Sequence, residues 1–483
     1  MQSEQVDVLI VGAGVSGIGA GCHLTMKCPE RSFVILEGRA AMGGTWDLFR
    51  YPGIRSDSNM FTFGYAFRPW TADEALASGD AIRDYVQDTA REYGVDKKIR
   101  FRHRVLRVDW SSAENRWIAD VKRLDSDETF RMKARFLLTC TGYYNYERGH
   151  QPEFEGIDDF RGTIAHPQHW PQDLDYTGKK VLIIGSGATA VTLVPAMAAD
   201  ASHVTMLQRS PTYVLSLPST DEMAVKLRRY LPEMAVYRLT RIKSILFGMG
   251  LFIYSRRRPE KMRRFIRKVN KELLGPDIDV DVHFKPKYDP WDQRLCLAKD
   301  ADFFQVLKDG SATVVTDRID CFTETGVKLA SGQELTADVI IPATGLELQF
   351  LGGMEMSRDG EPVDPATLIT YRGMMFGGLP NFAAVIGYTN TSWTLKVDIT
   401  CDYVCRLLEY MAKRGYTRVT PRLDSRPAKT EPMFNLNSGY LLRAANRVPR
   451  QSTEAPWRNR HNYIADWLAT RFARFNDGVM TFA

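Results

Sequence analysis

The sequence predicts an α/β protein of two doubly wound domains with a helical insert in the second, and three observations carry that reading. A β-branched and aliphatic run, Val6–Val11, broken only by Asp7, ends in a glycine-rich turn and leads into a helix-compatible stretch, Ser16–Lys27, and a second strand, Ser32–Leu36. The pattern returns at Lys180–Ile184, Gly185–Gly187, Ala188–Ala199 and His203–Gln208. Each unit is followed far downstream by a strand ending in Thr-Gly, Phe136–Gly142 and Val339–Gly345. A duplicated strand-turn-helix-strand module, each copy with its own closing strand, predicts two nested Rossmann-like domains.

Composition agrees. A chain of 483 residues exceeds the size at which one core stops growing, about 250–300 residues. With 44% hydrophobic and 25% charged residues it falls in the globular range, which excludes disordered and fibrous classes. The seven cysteines are scattered and form no C-x-x-C pair, so neither a dithiol centre nor a zinc knuckle is indicated. Cys22 and Cys28 read as packed thiols. The N-terminus enters a strand without a cationic leader, and no apolar run reaches the ~20 residues that span a bilayer. A reducing, cytoplasmic location is expected.

The expected division places residues 1–145 and 347–483 in the first domain, 151–220 and 288–345 in the second, and 221–287 in the insert. Between Asp221 and Gly275 stand 15 Lys and Arg against 5 Asp and Glu, an excess larger than the +6 of the whole chain. Apolar residues recur there at helical spacing. The preferred reading is a solvated cationic face over the mouth of a site. The alternative is peripheral membrane contact through 221–275, with Ile245–Tyr254, flanked by Arg241, Lys243 and Arg256–Arg258, lying on an anionic surface. Nucleic acid is not an expected partner, because no aromatic interleaving accompanies the charge.

The chemistry lies in the turns. In Gly12-Ala13-Gly14-Val15-Ser16-Gly17, Gly12 turns the chain, Gly14 lets the backbone approach a pyrophosphate, and Gly17 permits close helix packing. Glu37 stands about 20 residues after Gly17, where a carboxylate accepts from ribose hydroxyls; it favours an unphosphorylated ribose, as in FAD or NAD. The second turn, Gly185-Ser186-Gly187-Ala188-Thr189-Ala190, has Arg209 and Ser210 beside the corresponding place. A guanidinium there suits the 2′-phosphate of NADP(H); the alternative is a surface arginine ending a strand. One acidic and one basic site on the same chain imply a flavoprotein that takes electrons from NADPH.

The segment Phe160–Pro171 fits F-x-G-x-x-x-H-x-x-x-W-P at every fixed position. Through it the chain resembles the type I Baeyer–Villiger monooxygenases. GGTWDLFRYPGIRSDS (Gly43–Ser58), TGYYNY (Thr141–Tyr146), WDQRLC (Trp291–Cys296) and GYTNTSWTLK (Gly387–Lys396) look most like the ethionamide-activating branch of that family.

The resemblance implies FAD contacts at Ser16, Glu37, Thr45, Trp46, Asp47 and Leu48, and at the backbone of Val105. It implies Arg294 as the active-site arginine and Asp57 as the carboxylate that positions it, near a C4a-peroxyflavin that must stay anionic to attack a ketone. Arg209 and Ser210 then hold NADP⁺ through the cycle, Arg55 meets the nicotinamide half, and a helix starting near Ser392 aims its N-terminus at the flavin. His166 couples domain movement to cofactor binding from a linker ahead of the second domain, with no proton-transfer role. The expected activity is conversion of ketones to esters or lactones with O2, with sulfur oxidation beside it. The alternatives are an S- or N-oxygenase and an electron-transferring reductase.

Overall fold

The computed structural model describes residues 4–423, 427, 429–434 and 438–483. Met1–Ser3, where the leader-free start and the first domain were expected to begin, lie outside the described residues, as do 424–426, 428 and 435–437 of the 347–483 segment.

β1 (Glu4–Val11) is buried on both faces from Val8 onward and passes through a turn into α1 (Val15–Lys27) and β2 (Phe33–Leu36), which is buried throughout. Runs without polar alternation make interior parallel strands because cover lies over both faces. Short helices α2 (Thr45–Leu48) and α3 (Met60–Phe63) and the Ser78-capped α4 (Gly79–Glu92) follow. β3 (Ile99–Arg100), β4 (His103–Ser111), β5 (Arg116–Arg123) and β6 (Thr129–Thr139) come next. β5 buries alternate residues, Trp117, Ala119 and Val121, as a half-covered antiparallel strand should. The first sheet is therefore mixed, with parallel β6–β1–β2–β3 joined to an antiparallel β4–β5–β6 meander.

The second sheet is wholly parallel. β7 (Thr163–Ile164), β8 (Lys180–Ile184), α5 (Ala188–Ala198) and β9 (His203–Gln208) lead to β10 (Val214–Leu217), where the chain leaves for the insert. The insert comprises α6 (Glu222–Leu227), α7 (Glu233–Arg257), α8 (Pro259–Leu274) and α9 (Val280–His283). It returns as β11 (Cys296–Lys299), paired with β10. α10 (Asp302–Lys308), β12 (Ala312–Thr316), the antiparallel β13 (Ile319–Thr323), β14 (Gly326–Leu329) and β15 (Glu334–Thr336), and β16 (Val339–Pro342) complete this half. The sheet order is β12-β9-β8-β16-β7. The chain then returns to the first sheet with β17 (Glu355–Arg358), β18 (Glu361–Pro362) and a strand at Phe382–Ala384 beside β6. α11 (Trp393–Arg414), α12 (Gly439–Ala444) and α13 (Tyr463–Arg471) follow.

The insert is contiguous with the second half along the chain but shared by packing. Ala224, Val236 and Tyr237 sit in one apolar cluster with Met60, Phe61 and Tyr65 of the first half. Met262 and Ile266 of α8 pack with Tyr213, Leu215 and Leu295 of the second. Arg241, which the membrane-contact alternative placed at the flank of a segment on an anionic surface, is instead buried at 6% exposure because it serves backbone carbonyls of the first half. The outer face of α7 leaves Leu239, Ile242, Leu246, Phe247, Ile253 and Tyr254 exposed. No helix among the described residues is long and apolar enough to cross a membrane.

Candidate active site

Both glycine turns open on one cavity of about 1120 Å³. Their backbones repeat one another. Gly12 has φ +100°, and a Cβ there would stand 2.7 Å from the Cys140 carbonyl; Gly185 has φ +143°, with a Cβ 2.3 Å from the Ala343 carbonyl. Each turn is thus pressed against the end of its own Thr-Gly strand, which is why the two motifs recur together. Three helices start at the cavity, with Gly14, Gly187 and Ser392 as N-caps of α1, α5 and α11. None has a side-chain cap or an acidic residue in its first turn. Unpaired N–H groups and the positive helix end make each a place for an anion, and α11 begins where the sequence placed it.

Gly14, Ser16, Thr45, Trp46, Arg55, Asp57, Gly185 through Thr189, Arg209, Ser210 and Arg294 form the wall of this cavity. The other expected residues stand behind it. Gly17 allows α1 to approach the turn, since a Cβ there would meet the Gly12 carbonyl at 1.8 Å, and Ala190 is fully buried in α5. Glu37 accepts from the Ala13 N–H (2.7 Å) and the Arg39 N–H (2.8 Å). Burial raises its pKa, and those two donors oppose the rise. Asp47 accepts from Arg39 (2.6 Å) and Arg50 (2.7 Å), while Leu48 packs with Phe49 and Tyr51 into the core of the second sheet. Val105 is buried in β4 opposite Val121.

On the second-half side Arg209 is exposed and has no ion-pair partner among the described residues, and Ser186 Oγ donates to the Ser210 carbonyl at 3.1 Å. Arg55 reaches the wall with its guanidinium already committed to Asp302, at 2.5 and 3.2 Å. Between the two turns, Arg294 Nε lies 3.4 Å from Asp57 Oδ2, the arginine side chain 40% exposed and the aspartate 14%. Burial raises the Asp57 pKa against the pull of Arg294 and Arg55. Burial also works against the Arg294 charge, but the Asp57 carboxylate beside it holds its pKa above the ordinary value. The result is a permanent cation at the cavity wall.

Several wall residues carried no role in the sequence reading. Trp393 donates from Nε1 to Ser16 Oγ at 2.8 Å, so α11 is bonded to the first helix at the site. Tyr143 and Tyr144 hydroxyls stand 3.3 Å apart, and Tyr440 joins them around Arg294; burial lifts its phenol to about 12. The doubled tyrosine after Thr141-Gly142 is a signal that was available. Tyr440, far along the chain, had none.

The Phe160–Pro171 segment is not a linker ahead of the second sheet, as was expected for His166. Its Thr163–Ile164 is the edge strand of that sheet, paired with Val339 and Ile340, and Gly162 lets it in, a Cβ there meeting the Asp338 carbonyl at 2.4 Å. His166 follows and accepts from the Gln168 N–H at 3.2 Å; Gln168 Nε2 donates to the Asn145 carbonyl at 2.7 Å. The segment therefore holds the crossover between the halves. Burial and the nearby His169 keep the His166 pKa low, so it stands there neutral.

Comparison with known proteins finds two sequence families, an NAD(P)-binding Rossmann-like domain over residues 10–73 and the flavin-binding monooxygenase-like family over 67–234. Probable FAD-binding monooxygenase AlmA of Acinetobacter baylyi is 50% identical over 481 residues, 99% of this chain and 96% of that protein. FAD-containing monooxygenase EthA of Mycolicibacterium smegmatis is 49% identical over 481 residues, 99% and 97%. An oxidized steroid monooxygenase bound to NADP superposes with a TM-score of 0.79 at 22% identity, covering 99% of each chain.

Proposed function

The chain belongs to the FAD-containing monooxygenases, and from that premise we propose that it binds FAD and NADP(H) in the central cavity and uses O2 to convert ketones to esters or lactones, with sulfur of sulfides and thioamides as a second target. The observation that carries this reading is the Arg294–Asp57 pair in the wall of a cavity onto which both glycine turns open.

The donor sets fit the two cofactors. The uncapped α1 N-terminus with Gly12, Gly14 and Gly17 suits a pyrophosphate, and Glu37 keeps lone pairs for a ribose. Ser16, Thr45 and Trp46 would line FAD, Asp47 and Leu48 support that wall from behind, and Val105 offers its backbone to the adenine. The α5 N-terminus, Gly185 through Ala190, with the unpaired Arg209 and Ser210, suits NADP(H), and Arg55 stands toward its nicotinamide end. In this reading residues 1–145 and 347–483 form the FAD half, 151–220 and 288–345 the NADP half, and 221–287 the insert between them.

Bound FAD supplies electron transfer and oxygen activation. The chain supplies a fixed charge. Arg294 holds negative charge on the reacting oxygen and then the tetrahedral oxyanion formed at the ketone, an interaction of about 3–4 kcal/mol for a preorganised donor once bound cofactors and substrate displace water from the cavity. Asp57 restrains the guanidinium and tempers its charge. The location proposed is cytoplasmic, with peripheral membrane contact through 221–275 on the exposed apolar face of α7.

The test is aerobic turnover with NADPH and a panel of ketones and thioethers under ¹⁸O2, products read by mass spectrometry. Labelled esters that vanish in Arg294→Ala, while NADPH still reduces the flavin, are expected. Labelled sulfoxides alone would make the protein a heteroatom oxygenase, and NADPH use yielding only peroxide would overturn oxygen insertion into this panel.

A further inference from the structure

Arg294 reaches the cavity from a loop, 289–294, that is gripped from outside by the insert. On one side the chain is anchored where Tyr213 Oη donates to the Tyr288 carbonyl at 2.7 Å, and on the other where the Cys296 N–H donates to the Tyr213 carbonyl at 2.9 Å. Between these points Arg256 of α7 pairs with Asp292, and Arg263 of α8 pairs with Asp289. Phe252 of α7 meets the Trp291 ring edge-on at 5.5 Å. The same two carboxylate residues close the turn, the Asp289 N–H donating to Asp292 Oδ2 at 3.1 Å and the Asp292 N–H to the Asp289 carbonyl at 3.0 Å. Trp291 has φ +71°, a left-handed backbone that a bulky side chain holds only when its surroundings impose it.

Both ion pairs are partly exposed, Arg256 at 47% and Arg263 at 36%, so neither contributes much to global stability. Their effect is on where the loop stands. We propose that α7 and α8 are the clamp that sets the place of the Arg294 guanidinium, with Arg256, Arg263 and Phe252 as positioning residues acting through Asp292, Asp289 and Trp291. The proposal rests on the reading of Arg294 given above. A clamp of exposed pairs weakens in salt, whereas the Arg294–Asp57 pair in the cavity wall is screened less.

The experiment uses the full-length, FAD-loaded protein and the double variant Arg256→Gln, Arg263→Gln. Amide exchange in 289–294 is expected to quicken about fivefold or more with β1 and α1 unchanged. Ketone product per NADPH is expected to fall about threefold or more through kcat, with the KM for NADPH unchanged. In the wild type that ratio is expected to decline between about 0.05 and about 1 M NaCl; in the variant it is expected to be flat. Lysine at both positions should restore most of the loss, and Phe252→Ala probes the clamp without touching charge should the double variant fold poorly. Wild-type exchange and wild-type coupling in the double variant, with Arg294→Ala inactive on ketones, would overturn the clamp and leave Arg294 standing. If Arg294→Ala retains ketone oxygenation, the Arg294 reading fails, and the clamp as a control on that reaction fails with it.

Discussion

At the scale of single residues, the site separates charges that must persist from charges held at a cost. Arg294 stays cationic because the Asp57 carboxylate offsets its desolvation, whereas Asp57 itself, 14% exposed, has its pKa raised above the ordinary 3.8. The folded state therefore holds the Asp57 proton more tightly than the unfolded chain does. Stability from this group is fully present below pH 3.8 and declines as pH rises through the raised folded value. Asp57→Asn, neutral at every pH, is expected to melt at or above the wild-type temperature at pH 7, the difference closing toward acid, while ketone oxygenation is lost. Thermal scans of the apoprotein across pH check this; a variant clearly less stable at pH 7 would mean that pairing with Arg294 outweighs desolvation. Arg209 makes a second residue-scale case, being exposed with no ion pair to break. Arg209→Ala is expected to raise the KM for NADPH about ten- to hundredfold, the loss of one charged hydrogen bond, and to leave the KM for NADH within twofold. Steady-state kinetics with both nucleotides decides it, and equal losses would remove Arg209 from the 2′-phosphate.

Among the elements, β1, β2 and β8 were legible because each contains a continuous apolar run, and continuity is a local property of sequence, while β9, HVTMLQ, was legible from its place in the repeated module. The burial of Arg241 was not legible, because its partners lie far away along the chain. From α7 it donates to the carbonyls of Phe61 (3.1 Å) and Gly64 (2.7 Å) and to Asp398 Oδ2 on α11 (3.1 Å). Asp398 also pairs with His23 of α1 at 3.2 Å, so four elements meet on two charges. Arg241→Met leaves Asp398 buried with its main partner gone, and a loss of about 3–5 kcal/mol is expected in chemical denaturation. Adding Asp398→Asn should recover part of it, a recovery that independent sites would not show. The outer face of α7 calls for a different measurement. The same helix carries exposed Arg238 and Arg257 and ends in exposed Arg258, and exposed Lys261 and Arg264 follow in α8, none with an ion-pair partner among the described residues. Apolar area with unpaired cations fits an anionic bilayer. Binding to vesicles with anionic lipid, weakened by salt and abolished by Leu246→Glu with Phe247→Glu, is expected in flotation assays; equal binding to neutral vesicles, or none, would leave the solvated-face reading.

Across the whole molecule, the sequence revealed two turns and two closing strands but not how the halves interlock, since interlocking is made by side chains whose partners no motif names. Leu48, Phe49 and Tyr51 follow the first glycine turn in sequence yet sit in the apolar cluster of Val181, Ile183 and Val191 under the second sheet. In the reverse direction Val236 and Tyr237 of the insert sit in the first-half cluster, with Tyr237 Oη donating to the Tyr65 carbonyl at 3.0 Å. Each half therefore buries part of the other's core, and unfolding either strips apolar cover from its neighbour. That coupling predicts one cooperative transition in calorimetry where two adjacent halves joined only at a surface would give two. Phe49→Ala and Tyr237→Ala each remove one interlocking ring, at about 3–5 kcal/mol for a buried aromatic. Combined, they are expected to split the melt into two resolved steps, because the interlock weakens while each half keeps the rest of its own core. A wild-type trace already split, or a double variant that melts as one step at lower temperature, would show that cooperativity comes from elsewhere, with the crossover held by Gln168 and Asn145 the next contact to break.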